Sequence, residues 1–278
     1  MTVTQFAFAL VTIGAALSLV MTLAWAIERR TGNSGWIDAA WTFGLGAVGV
    51  ACALAPFATE QAANAPRRWL VAIAVLAWAL RLGFYIAART AGIVDDPRYA
   101  TLRRGFGPDA SWQMWLLVQK QALASIPLAL AIFLAAQNPV PTLRPQDYVA
   151  AVVFVVAIGG EALADLELRR FRRAASGGAA ICEAGLWRWS RHPNYFFEWL
   201  GWLAYAVIAI DPSGAYPWGW AALVGPACMY WLLVHVSGIP PLEEHMLRTR
   251  GDAFRAYQAR TSAFFPRPPR ETTGAAHQ

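Results

Sequence analysis

The chain has 278 residues, of which 57% are hydrophobic and 14% charged, and its mean hydropathy is +0.38. Soluble domains carry about 25% charged residues. The composition therefore excludes a disordered chain, a nucleic-acid-binding arm and a disulfide scaffold, and it favours an integral membrane protein. The three cysteines (Cys52, Cys182 and Cys228) are widely spaced. They form no metal-ligand pattern, so we predict small buried side chains and no metal site.

In chain order, seven apolar stretches are long enough to cross a hydrocarbon core of about 30 Å, which takes roughly 20 helical residues. They are residues 5–27, 36–56, 68–88, 113–136, 147–166, 194–210 and 218–239. The first has no basic segment before it and no clear cleavage site, which predicts a retained helix and not a signal peptide. The Arg-rich tail 240–278 is predicted to hold a short amphipathic helix near 242–260. The sequence thus predicts an all-α integral membrane protein with seven transmembrane helices and a single domain over 1–278.

The arginines predict the orientation of these spans. With the N-terminus outside, eighteen arginines fall in the inside loops and tail, and three (Arg67, Arg68 and Arg144) fall outside. Because positively charged loops stay on the cytoplasmic side, we expect the N-terminus outside and the C-terminus inside. This asymmetry accounts for the net charge of +6 without a nucleic-acid partner. It suits a multi-pass protein of a bacterial inner membrane.

Ionisable side chains inside a span are costly and indicate function. In the predicted topology they all fall in the cytoplasmic half of the membrane: Asp38, Arg81, Lys120, Glu161, Asp165, Glu198 and His235. A channel or transporter needs polar residues through its whole depth. The pattern instead predicts a polar cavity that opens to the cytoplasm, and contact of the arginines with membrane lipids.

Two spans carry polar side chains at helical spacing. Glu161, Asp165, Arg169 and Arg172 follow at i+4, i+4 and i+3, which places them on one face of a helix. They could form ion pairs within the helix, or they could offer acceptors and donors to a polar ligand. In the third span, Tyr85 follows Arg81 by four residues and could be a buried aromatic residue or a proton donor.

A motif at the start of the sixth span, Ser190-Arg191-His192-Pro193-Asn194-Tyr195, favours anion binding. Pro193 suits the first turn of a helix, whose free N–H groups and positive dipole end lie beside Arg191 and His192. Trp187 could stack on a planar ring or belong to the membrane interface. His192 could equally be a helix cap or a headgroup contact.

Six segments in order carry a resemblance to a known family. They are Ile37–Trp41, Asp96–Tyr99, Glu161–Asp165, Arg191–Tyr195, Val236–Pro240 and Tyr257–Pro266. Together they resemble a bacterial branch of the steroid 5α-reductase family, within a superfamily that includes the sterol C14-reductases and the isoprenylcysteine carboxyl methyltransferases. The resemblance covers nearly the whole chain and is most specific from 160 to 266.

The resemblance implies a seven-helix fold that binds NADPH from the cytoplasmic side and transfers hydride to the β-carbon of an activated C=C bond. It places the cofactor at Glu161, Asp165, Arg169, Arg172, Asn194, Glu198, Glu243, Glu244 and Tyr257. We add the neighbouring polar and aromatic candidates Trp187, Arg191, His192, Tyr195 and His235. The expected catalytic residues are Arg81 and Tyr85, which would polarise a carbonyl group, and Asp38.

Some positions depart from the family. No Gln-Glu pair stands in the second span, where Asp38 is the only ionisable side chain. Trp78 stands at the place of a catalytic Tyr, and Phe197 replaces a Gly. We therefore expect a lipophilic enone or unsaturated lipid that enters from the bilayer, without specifying a steroid. The oligomeric state is left open.

Two other functions compete with an NADPH-dependent reductase. An S-adenosylmethionine-dependent methyltransferase of the isoprenylcysteine type would use the same His-Pro-Asn-Tyr element. Arg169 and Arg172 favour the reductase, because they suit nucleotide phosphates that this methyl donor lacks. A non-catalytic membrane scaffold would carry scattered charge, whereas the charge here is clustered at one depth.

Overall fold

The computed structural model describes residues 1–55, 65–174 and 180–270, and all regular structure in these ranges is helical. The α-helices are α1 (Val3–Thr31), α2 (Gly35–Leu54), α3 (Ala65–Ala91), α4 (Pro97–Phe106), α5 (Ala110–Ala136), α6 (Pro145–Ala174), α7 (Pro193–Ala209), α8 (Val224–Trp231) and α9 (Ile239–Arg260). Short 3₁₀ turns cover Gly107–Asp109, Gly185–Arg188 and Pro217–Leu223, and a π-helical turn covers Leu232–Val236.

In the described part of the chain, six helical stretches are long and apolar enough to cross a membrane. They are Val3–Thr31, Gly35–Leu54, Ala65–Ala91, Pro97–Ala136, Pro145–Ala174 and Pro217–Arg260. The predicted sixth span corresponds to α7, whose 17 residues fall short of the roughly 20 that cross a bilayer unaided. The all-helical character and the several membrane-spanning helices predicted from the sequence are confirmed.

Local signals set the helix ends. The Thr2 side chain accepts a hydrogen bond from the backbone N–H of Gln5 and so caps α1, which ends at Gly32 with a left-handed φ of 69°. The short helix α4 was not among the predicted elements. The sequence nevertheless contains signals for its start, because Asp96 caps the helix and Pro97 occupies its first turn.

The last predicted span, 218–239, is not one continuous α-helix. It consists of the 3₁₀ turn Pro217–Leu223, then α8, then the π-helical turn Leu232–Val236. Prolines in the first turn of the 3₁₀ segment and near the start of α8 remove N–H donors that a continuous helix would use. The amphipathic tail helix is longer than predicted: α9 begins at Ile239 and bends at Gly251, where φ is 51°.

The chain divides into two compact units. Unit 1 comprises Met1–Ala151 and Tyr205–Gly225. Its helices α2 and α3 pack closely, because a Cβ atom on Gly46 would lie 2.3 Å from that of Ala79, and one on Gly83 would meet the ring of Phe43 at 2.5 Å. Small residues allow this approach, as is common between membrane helices.

Unit 1 also contains a buried ion cluster. Arg67, predicted in an outer loop, lies in the first turn of α3 and is only 1% exposed. Its guanidinium contacts Asp147 at 2.9 Å, and Arg144 contacts the same carboxylate at 3.0 Å. The position of Arg67 corrects the prediction. The helix begins before the apolar run, and the ion pair with Asp147 supplies the charge compensation that burial requires.

Unit 2 comprises Val152–Ala204 and Pro226–Gln278. It contains a cluster of aromatic rings around the buried Phe264, with centroids 5.1 to 6.2 Å apart, formed by Phe196, Trp199, Tyr230, Phe264 and Phe265. The segment 261–267, which follows α9, lies along the residues before α7. The backbone N–H of Arg191 donates to the carbonyl of Ser262 at 2.8 Å, and that of Arg267 donates to Trp189 at 2.9 Å.

Candidate functional site

The candidate site is built around the residues that precede α7 in unit 2. Ser190 is fully buried, and its hydroxyl donates to the carbonyl of Phe264 at 2.9 Å. The same hydroxyl accepts from the backbone N–H of His192 at 3.1 Å. Pro193 then begins the helix. Arg191 and His192 are therefore held by backbone contacts at the positive end of α7, as the sequence predicted for this element.

One carboxylate of α9 gathers the side chains of this segment. Glu243 Oε1 accepts from Arg191 Nε at 2.8 Å and lies 2.8 Å from His192 Nε2. Its other oxygen, Oε2, accepts from Arg191 Nη2 at 3.1 Å and from Gln258 Nε2 at 2.7 Å. We call Arg191, His192, Glu243 and Gln258 the α7–α9 cluster.

The imidazole of His192 is buried, and burial lowers its pKa below the ordinary value of 6.5. The nearby Glu243 carboxylate opposes this effect, and the Arg191 guanidinium reinforces it. A lowered pKa keeps the ring neutral at pH 7. The ring of Tyr195 stacks on the imidazole, with centroids 5.5 Å apart.

Helix α6 supplies the row of charged side chains predicted from its spacing. Glu161 and Asp165 are buried, at 5% and 3% exposure, whereas Arg169 and Arg172 are exposed. The row therefore passes from the buried to the exposed part of one helix. Buried carboxylates are costly unless they are paired or hydrogen-bonded, and ionisable residues inside apolar helices often mark functional sites.

The turn Gly185–Arg188 packs on α6. Glu167 Oε2 accepts from the backbone N–H of Leu186 at 2.9 Å, and Trp187 Nε1 donates to the carbonyl of Ala164 at 3.0 Å. Gly185 has a φ of 58°, and a Cβ there would lie 2.0 Å from Glu167 Oε1. A side chain at this position would be strained, so glycine suits it. The bond from Trp187 Nε1 to Ala164 holds the indole ring in a buried position.

Tyr257 is buried on α9, and its hydroxyl donates to the carbonyl of Trp187 at 2.5 Å. On α7, Glu198 is 7% exposed and accepts from Trp202 Nε1 at 3.0 Å, while Asn194 is half-buried one turn earlier. Unit 2 thus contains all fourteen residues predicted to bind the cofactor. Four of them are exposed: Arg169, Arg172, His235 in the π-helical turn, and Glu244, which pairs with Arg248 at 3.5 Å.

The predicted catalytic residues Asp38, Arg81 and Tyr85 lie in unit 1. Asp38 Oδ2 accepts from Arg98 Nη2 at 2.6 Å, and its Oδ1 accepts from the hydroxyl of Tyr99 at 2.7 Å. Arg81 and Tyr85 lie on α3, where both are partly buried. The carboxylate of Asp38 is therefore engaged with helix α4.

Sequence reasoning missed the partners of Asp38. Tyr99 is 6% exposed and accepts from Gln121 Nε2 at 2.9 Å, while the buried Gln121 Oε1 has no hydrogen-bond partner among the described residues. Asp96 holds Arg98 in place with a bond of 2.9 Å, and the two Arg98 contacts lower the pKa of Asp96 against the effect of its own burial. The available signal was the Asp96-Pro97-Arg98-Tyr99 segment, to which no role was assigned.

The chain is similar to one curated protein of fission yeast. It is 34% identical over 94 residues to "Uncharacterized protein C594.04c" of Schizosaccharomyces pombe (strain 972 / ATCC 24843). The matched segment covers 32% of this chain and 25% of the yeast protein, so the match spans about a quarter of that relative. No solved structure matches the chain. Residues 24–261, which include every predicted site residue, match the family described as "Protein of unknown function (DUF1295)", and the chain belongs to that family.

Proposed function

We propose that this protein is an NADPH-dependent membrane reductase that acts on an activated C=C bond in a lipophilic substrate. In this proposal the chain crosses a bacterial inner membrane seven times, with its N-terminus outside and its C-terminus inside. The cofactor site faces the cytoplasm. The proposal rests on the site chemistry of unit 2 and on the resemblance of the sequence motifs to the 5α-reductase family.

The observation that carries the proposal is the charged row of α6. The buried carboxylates of Asp165 and Glu161 stand one turn and two turns before the exposed guanidinium group of Arg169, and the exposed Arg172 follows it by three residues. This set fits a dinucleotide, because carboxylates accept from ribose hydroxyl and carboxamide N–H groups and arginines bind phosphates. The half-buried Asn194 adds a side chain that can both donate and accept.

When bound, NADPH supplies a hydride to the β-carbon of the C=C bond. The residues of the chain position the cofactor and the substrate, and they polarise the substrate carbonyl. We assign polarisation of the substrate carbonyl to Arg81 and Tyr85, since donors aimed at the developing negative charge lower the barrier. Asp38 holds the hydroxyl of Tyr99 and the guanidinium of Arg98, and so orders α4 beside α2.

A lipophilic substrate suits the surface of unit 1. An apolar groove of about 400 Å³ runs between α2 and α3, and its lining includes Phe43, Ala47, Val50, Leu54, Leu76 and Leu80. Both helices are apolar enough to lie in a bilayer. A hydrocarbon substrate can therefore reach these helices without passing through water, which supports entry from the membrane.

The test is a thermal-shift comparison of the purified, detergent-solubilised full chain with NADPH, NADH and S-adenosylmethionine. A ligand at 100 times its Kd stabilises the native state by about 2.7 kcal/mol. We expect NADPH to raise the Tm more than NADH, and S-adenosylmethionine to leave it unchanged. A shift with S-adenosylmethionine alone would replace the reductase with the methyltransferase. No shift with any of the three would refute both.

A further inference from the structure

The Glu243 carboxylate has no acceptor capacity left for a ligand. A carboxylate offers about four lone-pair sites. Here Oε1 takes Arg191 Nε and His192 Nε2, and Oε2 takes Arg191 Nη2 and Gln258 Nε2, all within 2.7 to 3.1 Å. Any role of Glu243 in ligand binding must therefore pass through the side chains that it holds.

Of those side chains, His192 has capacity to spare. Its Nε2 faces a carboxylate oxygen at 2.8 Å, a position that requires the proton on Nε2. The neutral ring then has an unprotonated Nδ1, which is a hydrogen-bond acceptor. None of the described residues donates to this Nδ1. The contact with Glu243 thus selects both the orientation and the tautomer of the ring.

We propose that Glu243 is a positioning residue that fixes His192 with its proton on Nε2, so that Nδ1 accepts a hydrogen bond from an N–H or O–H group of the bound dinucleotide. This inference rests on the proposed function, and it assigns Glu243 a role through His192 in place of direct contact. The candidate donors share one chemistry: the carboxamide N–H of the nicotinamide and the hydroxyls of the ribose.

Helix α9 offers a matched pair of variants for the test. Glu243→Gln removes the charge from the cluster, and whichever oxygen becomes an NH₂ group then faces two donors. Where the NH₂ group stands in place of Oε1, it faces Arg191 Nε and His192 Nε2, and the ring relieves its own part of the conflict by moving its proton to Nδ1. Asp252→Asn makes the same kind of chemical change on the same helix, at a side chain that is 97% exposed and pairs with Arg255 at the surface.

The first measurement is the Kd for NADPH, by calorimetry on the full chain in detergent. We expect Glu243→Gln to weaken binding about tenfold, since one hydrogen bond to the ligand is lost, and Asp252→Asn to match the wild type. The effect of Glu243→Gln should vanish in a His192→Phe background, because positioning acts only through the ring. An effect of Glu243→Gln on the Kd that depends on the His192 ring distinguishes positioning from a general loss of stability. The stability of each variant is measured separately by its Tm.

The second measurement needs no ligand. ¹⁵N NMR of histidine-labelled protein reports which ring nitrogen carries the proton, and His192→Asn identifies the signal among the four histidines. We expect the wild type and Asp252→Asn to show the Nε2–H form, and Glu243→Gln to gain the Nδ1–H form. A protonated Nδ1 in the wild type would overturn the inference.

A modified cofactor identifies which group of the ligand donates to Nδ1, and the NADPH affinities distinguish a failure of the positioning role from a failure of the proposed function. An NADPH analogue with an acetyl group in place of the carboxamide lacks the N–H. Loss of the Glu243→Gln effect with this analogue identifies the carboxamide, and its persistence identifies a ribose hydroxyl. If the wild type binds NADPH and Glu243→Gln binds it equally well, the positioning role is wrong and the proposed function stands. If the wild type binds no NADPH, the proposed function itself fails.

Discussion

Two clusters of buried charge, one in each unit, differ in what they leave unused. In unit 1, Arg67 donates to Asp147 and to the carbonyls of Asn138, Val140 and Thr142. In unit 2, Glu243 is equally saturated, but the Nδ1 of its partner His192 receives no bond from the described residues. Under the proposed function, the feature that sets the binding cluster apart is therefore this unused hydrogen-bonding capacity, since both clusters carry charge.

From this comparison we expect the unit 1 cluster to have a structural role. Removal of its central cation, Arg67, should therefore have the largest effect on the stability of the protein. Arg67→Met leaves the fully buried Asp147 carboxylate with Arg144 alone, and it removes the donor to the carbonyls of Asn138, Val140 and Thr142. Breaking a buried pair in this way costs about 3–5 kcal/mol. We expect a strong fall in the Tm of the detergent-solubilised protein, with Arg255→Met as the control, since Arg255 pairs with Asp252 at the surface. Equal Tm values for the two variants would remove the structural role of the cluster.

The unit 2 residues should affect ligand binding more than folding. Asp165→Ala or Asn194→Ala should abolish the rise in Tm that NADPH produces, about 2.7 kcal/mol at 100 times the Kd. The unliganded protein should remain folded. Asp252→Ala, at a carboxylate that is 97% exposed, serves as the control and should keep the full shift. An unchanged NADPH affinity in both site variants would show that the α6–α7 residues do not hold the cofactor.

Particular helices show which parts of the fold can be predicted from the sequence. The long apolar helices followed from hydropathy, because a membrane span needs length and little else. Helix α4 was missed, since its ten residues carry no apolar run, although Asp96 and Pro97 signal its start. The π-helical turn at 232–236 has no pattern that hydropathy can reveal.

The sequence proposed candidate site residues by their type, but it could not predict the partners that the fold gives them. Glu243 meets Arg191 across 52 positions of sequence, and the hydroxyl of Tyr257 meets the carbonyl of Trp187 across 70. No local spacing encodes such contacts. The departure at Phe197 also has a tertiary explanation: a Cβ on Gly160 would lie 2.4 Å from its ring, so the large side chain packs over a glycine of α6.

Variants of the proposed catalytic residues of unit 1 should separate the effect on turnover from the effect on cofactor binding. Arg81→Ala should leave the Kd for NADPH unchanged and lower turnover of an enone substrate by about 10²-fold, the size of effect seen when a donor to a developing oxyanion is lost. Arg89→Ala, two turns further along α3 and exposed, should keep normal turnover. Unchanged turnover in Arg81→Ala would make Arg81 a structural residue of α3.

The smallest expected effect is a pH dependence of stability that belongs to His192. Burial lowers the pKa of this imidazole in the folded state, against Glu243 and with Arg191, the charged groups that face it. The unfolded chain therefore binds the proton more readily. The stability contributed by the neutral ring is complete above pH 6.5, the ordinary value, and is lost as the pH falls toward the folded-state pKa.

Between pH 7 and pH 5, the wild type should therefore lose more Tm than His192→Asn, which has no ionisable ring. His235→Asn provides the control, since His235 is exposed and should leave the pH profile of the wild type unchanged. If His192→Asn loses as much Tm as the wild type, the ring is not held neutral by the fold. A ring that is not held neutral offers no Nδ1 acceptor once it is protonated, because Nδ1 accepts a hydrogen bond only while the ring carries a single proton. The two clusters would then differ only in their geometry.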